Sequence, residues 1–391
     1  MSRRHDLDWV RVCAFGLLVL YHVGMYYVSW DWHVKSPQAG PALEPLMLLS
    51  SPWRLSLLFL VSGVATAYLL DKADRAAAAA GGRVRFLGPR SWRLLLPLAF
   101  GMAVIVPPQS YYEVVEQLPG GYHEGYLAFW ARYLAADPSF CDAGGCLILP
   151  TWNHLWFVAY LWVYTVVLWG LWRLARPLLD AARTGLAHAL SGWGALLWPA
   201  LLLGLARATL IERFPPTHAL VDDLYNHLQY LGVFLLGFLL ARQAGFWDAL
   251  VRLRWPALGL WLGGWLLLAG YNAGLAGQDP APAVRGLARL CWGLDQWSAI
   301  VAVLGFARRL APGDSPLLRY LAQAVFPVYI LHQTVIVVLA HNLQPLGIAP
   351  WIEGPGLVLA TLGLCFAGHA LIRRVPLLRP LFGLARKPPV S

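Results

Sequence analysis

Ten apolar stretches near 10–30, 53–71, 94–111, 152–172, 193–211, 225–241, 255–272, 291–307, 321–341 and 353–372 constrain this 391-residue chain more than any other feature. Each is close to the roughly 20 residues that a helix needs to cross a hydrocarbon core of about 30 Å. In lipid every backbone amide must be satisfied within its own segment, so continuous apolar runs demand helices. A barrel would need alternating apolar and polar positions. Composition agrees, with 59% hydrophobic residues and only 13% charged, against about 25% charged in soluble domains. The expected fold is an all-α integral membrane protein of about ten transmembrane helices.

The formal charge of +10 invites a nucleic-acid reading, which would require a basic patch. Instead the basic residues sort by loop. With a cytoplasmic N-terminus, the inside segments 1–11, 72–93, 173–192, 242–254, 308–320 and 373–391 hold 23 of the 30 lysines and arginines. That positive-inside pattern places both termini in the cytoplasm and implies contact with anionic lipid, with no nucleic-acid partner. The first apolar run follows a basic start, as a signal peptide would. It carries Arg11 and His22 and lacks a small-residue cleavage site, so it is expected to remain as helix 1.

No hydrophilic stretch is long enough to fold alone, since the longest runs over about 112–151, so 1–391 is expected to form one membrane domain. Cys13, Cys291 and Cys365 lie in apolar runs, as core fillers do. Cys141 and Cys146 lie in the longest outside loop, where an oxidising compartment permits a disulfide. No histidine stands beside them at ligand spacing, and no metal site is expected.

Ionisable residues inside a span are costly and are candidates for function. In Leu7-Asp-Trp-Val-Arg-Val-Cys-Ala-Phe-Gly-Leu-Leu-Val-Leu-Tyr-His22, Arg11 and His22 stand three helical turns apart on one face. Asp8 precedes Arg11 by one turn and can pair with it. About 16 Å of helix axis separates Arg11 from His22, too far for contact but suited to two ends of one long ligand. The structural alternative is an interfacial arginine and a packed histidine.

Pro89-Arg-Ser-Trp-Arg-Leu-Leu-Leu-Pro97 sets Arg90 and Arg93 one turn apart at the inner entrance to the third helix. Such a pair suits phosphate recognition, and suits positive-inside anchoring as well. Pro150-Thr-Trp-Asn-His-Leu-Trp-Phe157 brings Asn153, His154 and Trp156 to the outer mouth of the fourth span. Polar groups beside indole rings can meet a sugar, although aromatics also form the interface belt. Tyr329 and His332 share a face of the ninth span, as core hydrogen bonding or a site contact would require. Ser62-Gly63 reads as a small pair for close helix packing.

Together these segments resemble the acyltransferase-3 family of membrane acyltransferases from about Leu7 to Pro380. The resemblance rests on Leu-Asp-x-x-Arg followed after ten residues by His (Asp8, Arg11, His22), Phe-x-x-Ser-Gly at 59–63, the Arg90/Arg93 pair and His-Leu-Trp-Phe at 154–157. Trp32-His-Val-Lys-Ser36 and Tyr329-Ile-Leu-His-Gln333 are similar to the family's glucan biosynthesis protein C branch. Ser-Gly-Val at 62–64 and the Cys141/Cys146 loop depart from that branch.

The resemblance implies O-acylation of a periplasmic or cell-surface glycan from cytoplasmic acyl-CoA, in the bacterial inner membrane. Within the glucan branch the acyl group is typically succinyl and the acceptor an osmoregulated periplasmic glucan. On that footing His22, Arg11 and Asp8 are the expected catalytic residues, Arg90 and Arg93 bind the donor, and Asn153, His154, Trp156 and His332 are candidates for acceptor or oxyanion contacts. Acyl-CoA (succinyl-CoA or acetyl-CoA) is a cosubstrate, with no permanently bound cofactor, and other glycan biosynthesis proteins are conceivable partners. Two other classes stay open from sequence: a polytopic transporter of a small solute or acyl or glycan precursor, and a nonenzymatic scaffold in glycan export.

Overall fold

The computed structural model describes residues 4–142, 145–310 and 313–386. All ten predicted apolar stretches are helical. In chain order the main helices are α1 (His5–Tyr27), α2 (Arg54–Ala79), α3 (Leu87–Phe100), α4 (Pro107–Gln117), α5 (Tyr126–Leu134), α6 (Trp156–Leu174) and α7 (Arg176–Ala189). There follow α8 (Gly194–Leu210), α9 (Leu224–Leu240), α10 (Ala244–Gly274), α11 (Pro282–Leu310), α12 (Pro316–Leu343) and α13 (Pro350–Arg374). Among the described residues, seven helical stretches are long and apolar enough to cross a membrane, or up to nine if each of two bent pairs is one span. The expected ten is thus seven to nine by this measure, because α9 has only 17 residues and α8 and α10 pass only with the helix to which each is bent.

Several segments expected as loops are helical. The basic stretch 173–192 contains α7, turned by 112° from α8. Its apolar and charged positions sort onto different faces, and Gly192 at φ +61° makes the break. In the 112–151 segment α5 folds beside α4, and two short strands pair Cys141–Asp142 with Gly145–Cys146 in antiparallel register. A disulfide joins Cys141 to Cys146. Arg132 braces the same loop, its Nη1, Nε and Nη2 each 2.7 Å from Glu124, Asp137 and Ser139 respectively. Hydrogen bonds from Ser139 and Arg132 push the Asp137 carboxyl down to about 2.

Contacts group the chain into two compact units, Met1–Ala14 with Pro45–Pro89 and Tyr160–Ala322, and Phe15–Glu44 with Arg90–Ala159 and Gln323–Ser391. In the first unit small residues bring helix backbones together, the usual device where lipid removes the hydrophobic drive between helices. A Cβ on Gly63 of α2 would stand 2.0 Å from the Phe234 carbonyl oxygen of α9, and one on Gly237 of α9 would stand 2.2 Å from that of Leu60. Gly293 of α11 approaches Gly204 of α8 as closely. Ser62-Gly63 therefore lies at a close helix contact. A buried polar ladder crosses the same unit: Gln296 Nε2 donates to Ser56 Oγ (2.7 Å) and Gln229 Oε1 (3.2 Å), Gln229 to Asn226 (2.7 Å), and Asn226 to Asp223 (3.0 Å).

In the second unit Val19, Val23, Tyr26 and Tyr27 of α1 pack with Ile336, Val337 and Ala340 of α12 and Leu357 of α13. Lys35 closes the end of α1 by donating Nζ to the carbonyls of Met25 (2.7 Å) and Trp30 (2.6 Å), a cation at the negative end of the helix. Burial lowers the Lys35 pKa.

Within each unit, segments that the charge pattern assigns to one side bond to each other. Arg176 pairs with Asp74 at 3.6 Å and Arg308 with Asp248 at 3.8 Å, both between predicted inside segments, and Arg242 pairs with Asp71, the last residue of the predicted 53–71 stretch. Arg289 pairs with Glu212 at 2.5 Å on the opposite side of the same unit. In the second unit Arg93 meets Gly383 on one side, while His33 pairs with Glu113 and His341 with Glu116 on the other.

Candidate active site

The break between α3 and α4 prepares the site. Gly101–Ile105 forms a π-helical turn, and Pro107 and Pro108 follow it after Val106. Neither proline has an N–H to give, so carbonyls of the turn need other donors. Tyr133 Oη supplies Met102 O (3.0 Å), the Trp130 indole N–H supplies Ala103 O (2.8 Å), and Thr334 Oγ1 supplies Ile105 O (2.6 Å). Gly101 lets the turn close on Leu155, whose Cδ1 would lie 2.3 Å from an added Cβ. The α4 helix and the 153–155 turn are thereby locked to each other.

Gln109, fully buried on α4, is the hub of the site's hydrogen bonding. Its Oε1 accepts from Asn153 Nδ2 and Gln333 Nε2, each at 3.1 Å. Its Nε2 donates to Thr334 Oγ1 (2.7 Å) and meets His154 Nδ1 (3.3 Å). All four hydrogen-bonding positions of the amide are thus used. His154 Nε2 faces the Ile330 carbonyl oxygen at 3.2 Å, so that nitrogen carries the proton and Nδ1 accepts from Gln109. Tyr329 Oη donates to the His154 carbonyl oxygen. Asn153 takes a left-handed φ of +38°, which asparagine tolerates better than most residues.

His22 of α1 meets His332 of α12, with Nδ1 2.8 Å from His332 Nε2 and the two rings 5° from parallel. The other nitrogen of His332, Nδ1, lies 2.6 Å from the Tyr329 carbonyl oxygen. A carbonyl can only accept, so His332 carries its proton on Nδ1. Its Nε2 must then accept from His22 Nδ1–H, which leaves His22 Nε2 as the unprotonated nitrogen. The protonation of one ring is thus dictated by a backbone carbonyl acting through another.

A second histidine is fixed in the same way. Gln333 Nε2 donates to His33 Nε2 (2.9 Å), and His33 Nδ1 lies 2.6 Å from Glu113 Oε2. Glu116 Oε1 meets His341 Nδ1 at 2.8 Å, while Glu116 Oε2 accepts the Lys35 backbone N–H at 3.3 Å. The segment Trp32–Ser36 is thus tied to α4 and α12.

The predicted residues fall in several places. His22, His332, Asn153 and His154 belong to the second unit and take part in the networks around His332 and Gln109, and Trp156 is buried at the start of α6 in the same unit. Asp8 and Arg11 belong to the first unit, where Asp8 Oδ1 lies 3.5 Å from Arg11 Nη2 and that nitrogen also reaches the Ala322 carbonyl oxygen at 3.3 Å. Arg90 is half-buried, whereas Arg93 is exposed and gives Nε–H to the Gly383 carbonyl oxygen (3.1 Å). Gln109 was missed by the reading of motifs. A polar side chain inside the 94–111 stretch was its signal, by the same rule that singled out His22.

A family model described as an acyltransferase domain matches residues 4–370. Glucans biosynthesis protein C of Escherichia coli O6:K15:H31 (strain 536 / UPEC) is 22% identical over 399 residues, covering 97% of this chain and 94% of that protein. The protein of the same name from Escherichia coli K12 matches with the same identity and coverage. No solved structure matches the chain. The family match spans nearly all of a helical membrane chain, which therefore belongs to the acyltransferase-3 family of membrane acyltransferases.

Proposed function

We propose that the chain transfers an acyl group, succinyl or acetyl, from cytoplasmic acyl-CoA to a hydroxyl of a periplasmic or cell-surface glycan. An osmoregulated periplasmic glucan is the first acceptor to test, because glucans biosynthesis protein C is a relative that matches over nearly the whole chain. The observation that carries the chemistry is the bond from His22 to His332, since it leaves a basic nitrogen at a set place.

In this reading His22 Nε2 takes the proton of the acceptor hydroxyl as its oxygen attacks the thioester carbonyl carbon. The tetrahedral oxyanion collapses, the carbon–sulfur bond breaks, and the CoA thiolate leaves with the proton returned from His22. While His22 is imidazolium, its Nδ1–H stays bonded to neutral His332, which stabilises the cation without burying a second charge. The oxyanion and acceptor roles go to Asn153 and Trp156, with His154 holding the turn between them in place. Asn153 Nδ2 has a second N–H beyond the one given to Gln109. His332 is a positioning residue.

Arg90 and Arg93 hold the donor phosphates as paired guanidiniums. Arg11, steadied by Asp8, serves the donor from the same helix that carries His22. The whole chain works as one acyltransferase-3 domain in the bacterial inner membrane with both termini cytoplasmic, alongside other glycan biosynthesis proteins.

The test is mass spectrometry of periplasmic and surface glycans from cells carrying the intact chain, its His22→Ala variant or neither. A succinyl or acetyl increment seen only with the intact chain supports acyl transfer through His22. Identical glycans in all three, with expression and insertion verified, overturn the glycan assignment.

A further inference from the structure

Beyond α13, residues 375–386 fold back. Arg379, buried, donates Nε to the Ala385 carbonyl oxygen (2.6 Å) and Nη1 to that of Arg373 (2.9 Å), and Leu384 N–H closes on Arg379 O (2.8 Å). Phe382 and Leu384 are buried, and the Phe382 ring meets Phe100 of α3 edge-on at 5.5 Å. At the tip, Gly383 has φ +70°, and an added Cβ would lie 2.4 Å from the Phe326 ring. Only glycine fits there, and its carbonyl oxygen receives Arg93 Nε–H at 3.1 Å.

We propose that this C-terminal hook is a positioning element for the nucleotide end of the acyl donor, acting through Arg93. The inference rests on the donor reading of the arginine pair. A guanidinium has five N–H bonds in a fixed plane. With Nε held by Gly383, the plane of Arg93 is set and the four N–H bonds of Nη1 and Nη2 are left to present as a fork. Bidentate phosphate binding needs that fork, and a freely rotating arginine must lose rotamer entropy to supply it. Phe326, against which Gly383 packs, also stacks on Tyr329 at 6.2 Å, so the hook abuts the helix that carries His332. Residues 378–386 lie beyond the stretch matched by the family model, which ends at 370.

Coenzyme A itself is the probe, titrated calorimetrically into the full chain in lipid nanodiscs, so neither acyl group nor acceptor need be known. The variants are Arg93→Ala, Gly383→Ala and the two combined. Arg93→Ala should weaken binding roughly tenfold, as loss of a charge-assisted contact does. Gly383→Ala should weaken it roughly fivefold, and the double variant should be no weaker than Arg93→Ala alone, because the hook acts through that side chain. Additive losses, or undiminished binding in Gly383→Ala, overturn the role of the hook while leaving the arginine reading intact. Undiminished binding in Arg93→Ala overturns both. If Gly383→Ala does not fold, Phe382→Ala loosens the hook from Phe100 without a backbone clash and carries the same cycle.

Discussion

His332 stands between a backbone carbonyl and His22, its Nδ1 2.6 Å from Tyr329 O and its Nε2 2.8 Å from His22 Nδ1. That relay makes His332 separable from His22 in kinetics. His22→Ala removes the base, whereas His332→Ala leaves the base but frees its tautomer and orientation. Losing such an orienting partner costs about 10–100-fold. We expect that fall in kcat with little change in KM for acyl-CoA, measured as thiol release in the presence of acceptor. A fall confined to KM would instead place His332 in donor binding.

Gln109 is the next position to change. Gln109→Leu is close in volume but removes the acceptor used by Asn153 and Gln333 and the donor used by His154 and Thr334. Each buried group left unpaired costs about 1–3 kcal/mol. The variant should unfold at clearly lower temperature in detergent and lose most activity. Unchanged melting would mean that the surrounding groups re-pair without it.

Much of this fold was legible because lipid enforces simple rules. Apolar length located ten helical stretches, and the charge pattern alone groups Asp74 with Arg176 and Arg93 with Gly383, pairs that touch in the folded chain. Asp8, Arg11 and His22 could be read because helical spacing is fixed, and Tyr329 with His332 for the same reason. What sequence could not supply was the partner on another helix. The bond from His22 to His332 spans 310 positions, and Gln109 joins α4 to residues 44 and 224 positions away. Local periodicity has no access to such pairs. Bends were equally hidden, since the residues of α7 satisfy an amphipathic helix and a basic loop alike.

Two glycines give a paired test of helix contact in the first unit and in α1. An added Cβ at Gly63 would stand 2.0 Å from Phe234 O, while at Gly16 it would meet nothing within 4 Å. Gly63→Ala should therefore destabilise by about 1–3 kcal/mol or more through overpacking. Gly16→Ala should be neutral or stabilising by up to about 1 kcal/mol from helix propensity. Thermal unfolding of both variants, measured against the parent, reads the contrast directly.

The loop between α4 and α6 offers a dependence on pH. Asp137 is held down to about 2 by Ser139 and Arg132, below the ordinary aspartate value near 3.9. Its contribution to the fold is complete above the ordinary value and is lost as pH falls from there toward 2. Hydrogen exchange in residues 118–150 should hold steady from pH 7 to about 4.5 once corrected for intrinsic rates, then quicken below about 3. Asp137→Asn should flatten that response. A parent loop that loosens between pH 7 and 5 would point to a histidine instead.

The bond between Cys141 and Cys146 tests both the loop and its compartment. A disulfide persists where the surroundings oxidise, and the positive-inside pattern predicts that this loop lies outside. Protein unfolded under acidic, non-reducing conditions and then alkylated should carry label on Cys13, Cys291 and Cys365 only, with the remaining two labelled after reduction. Closing so short a loop restrains the unfolded chain by about 2 kcal/mol, so the Cys141→Ser, Cys146→Ser double variant should melt a few degrees lower. Its catalysis should persist at permissive temperature, because His22 and His332 are held by α1 and α12. Label on all five cysteines before reduction would instead place the loop in a reducing compartment and reverse the orientation drawn from charge.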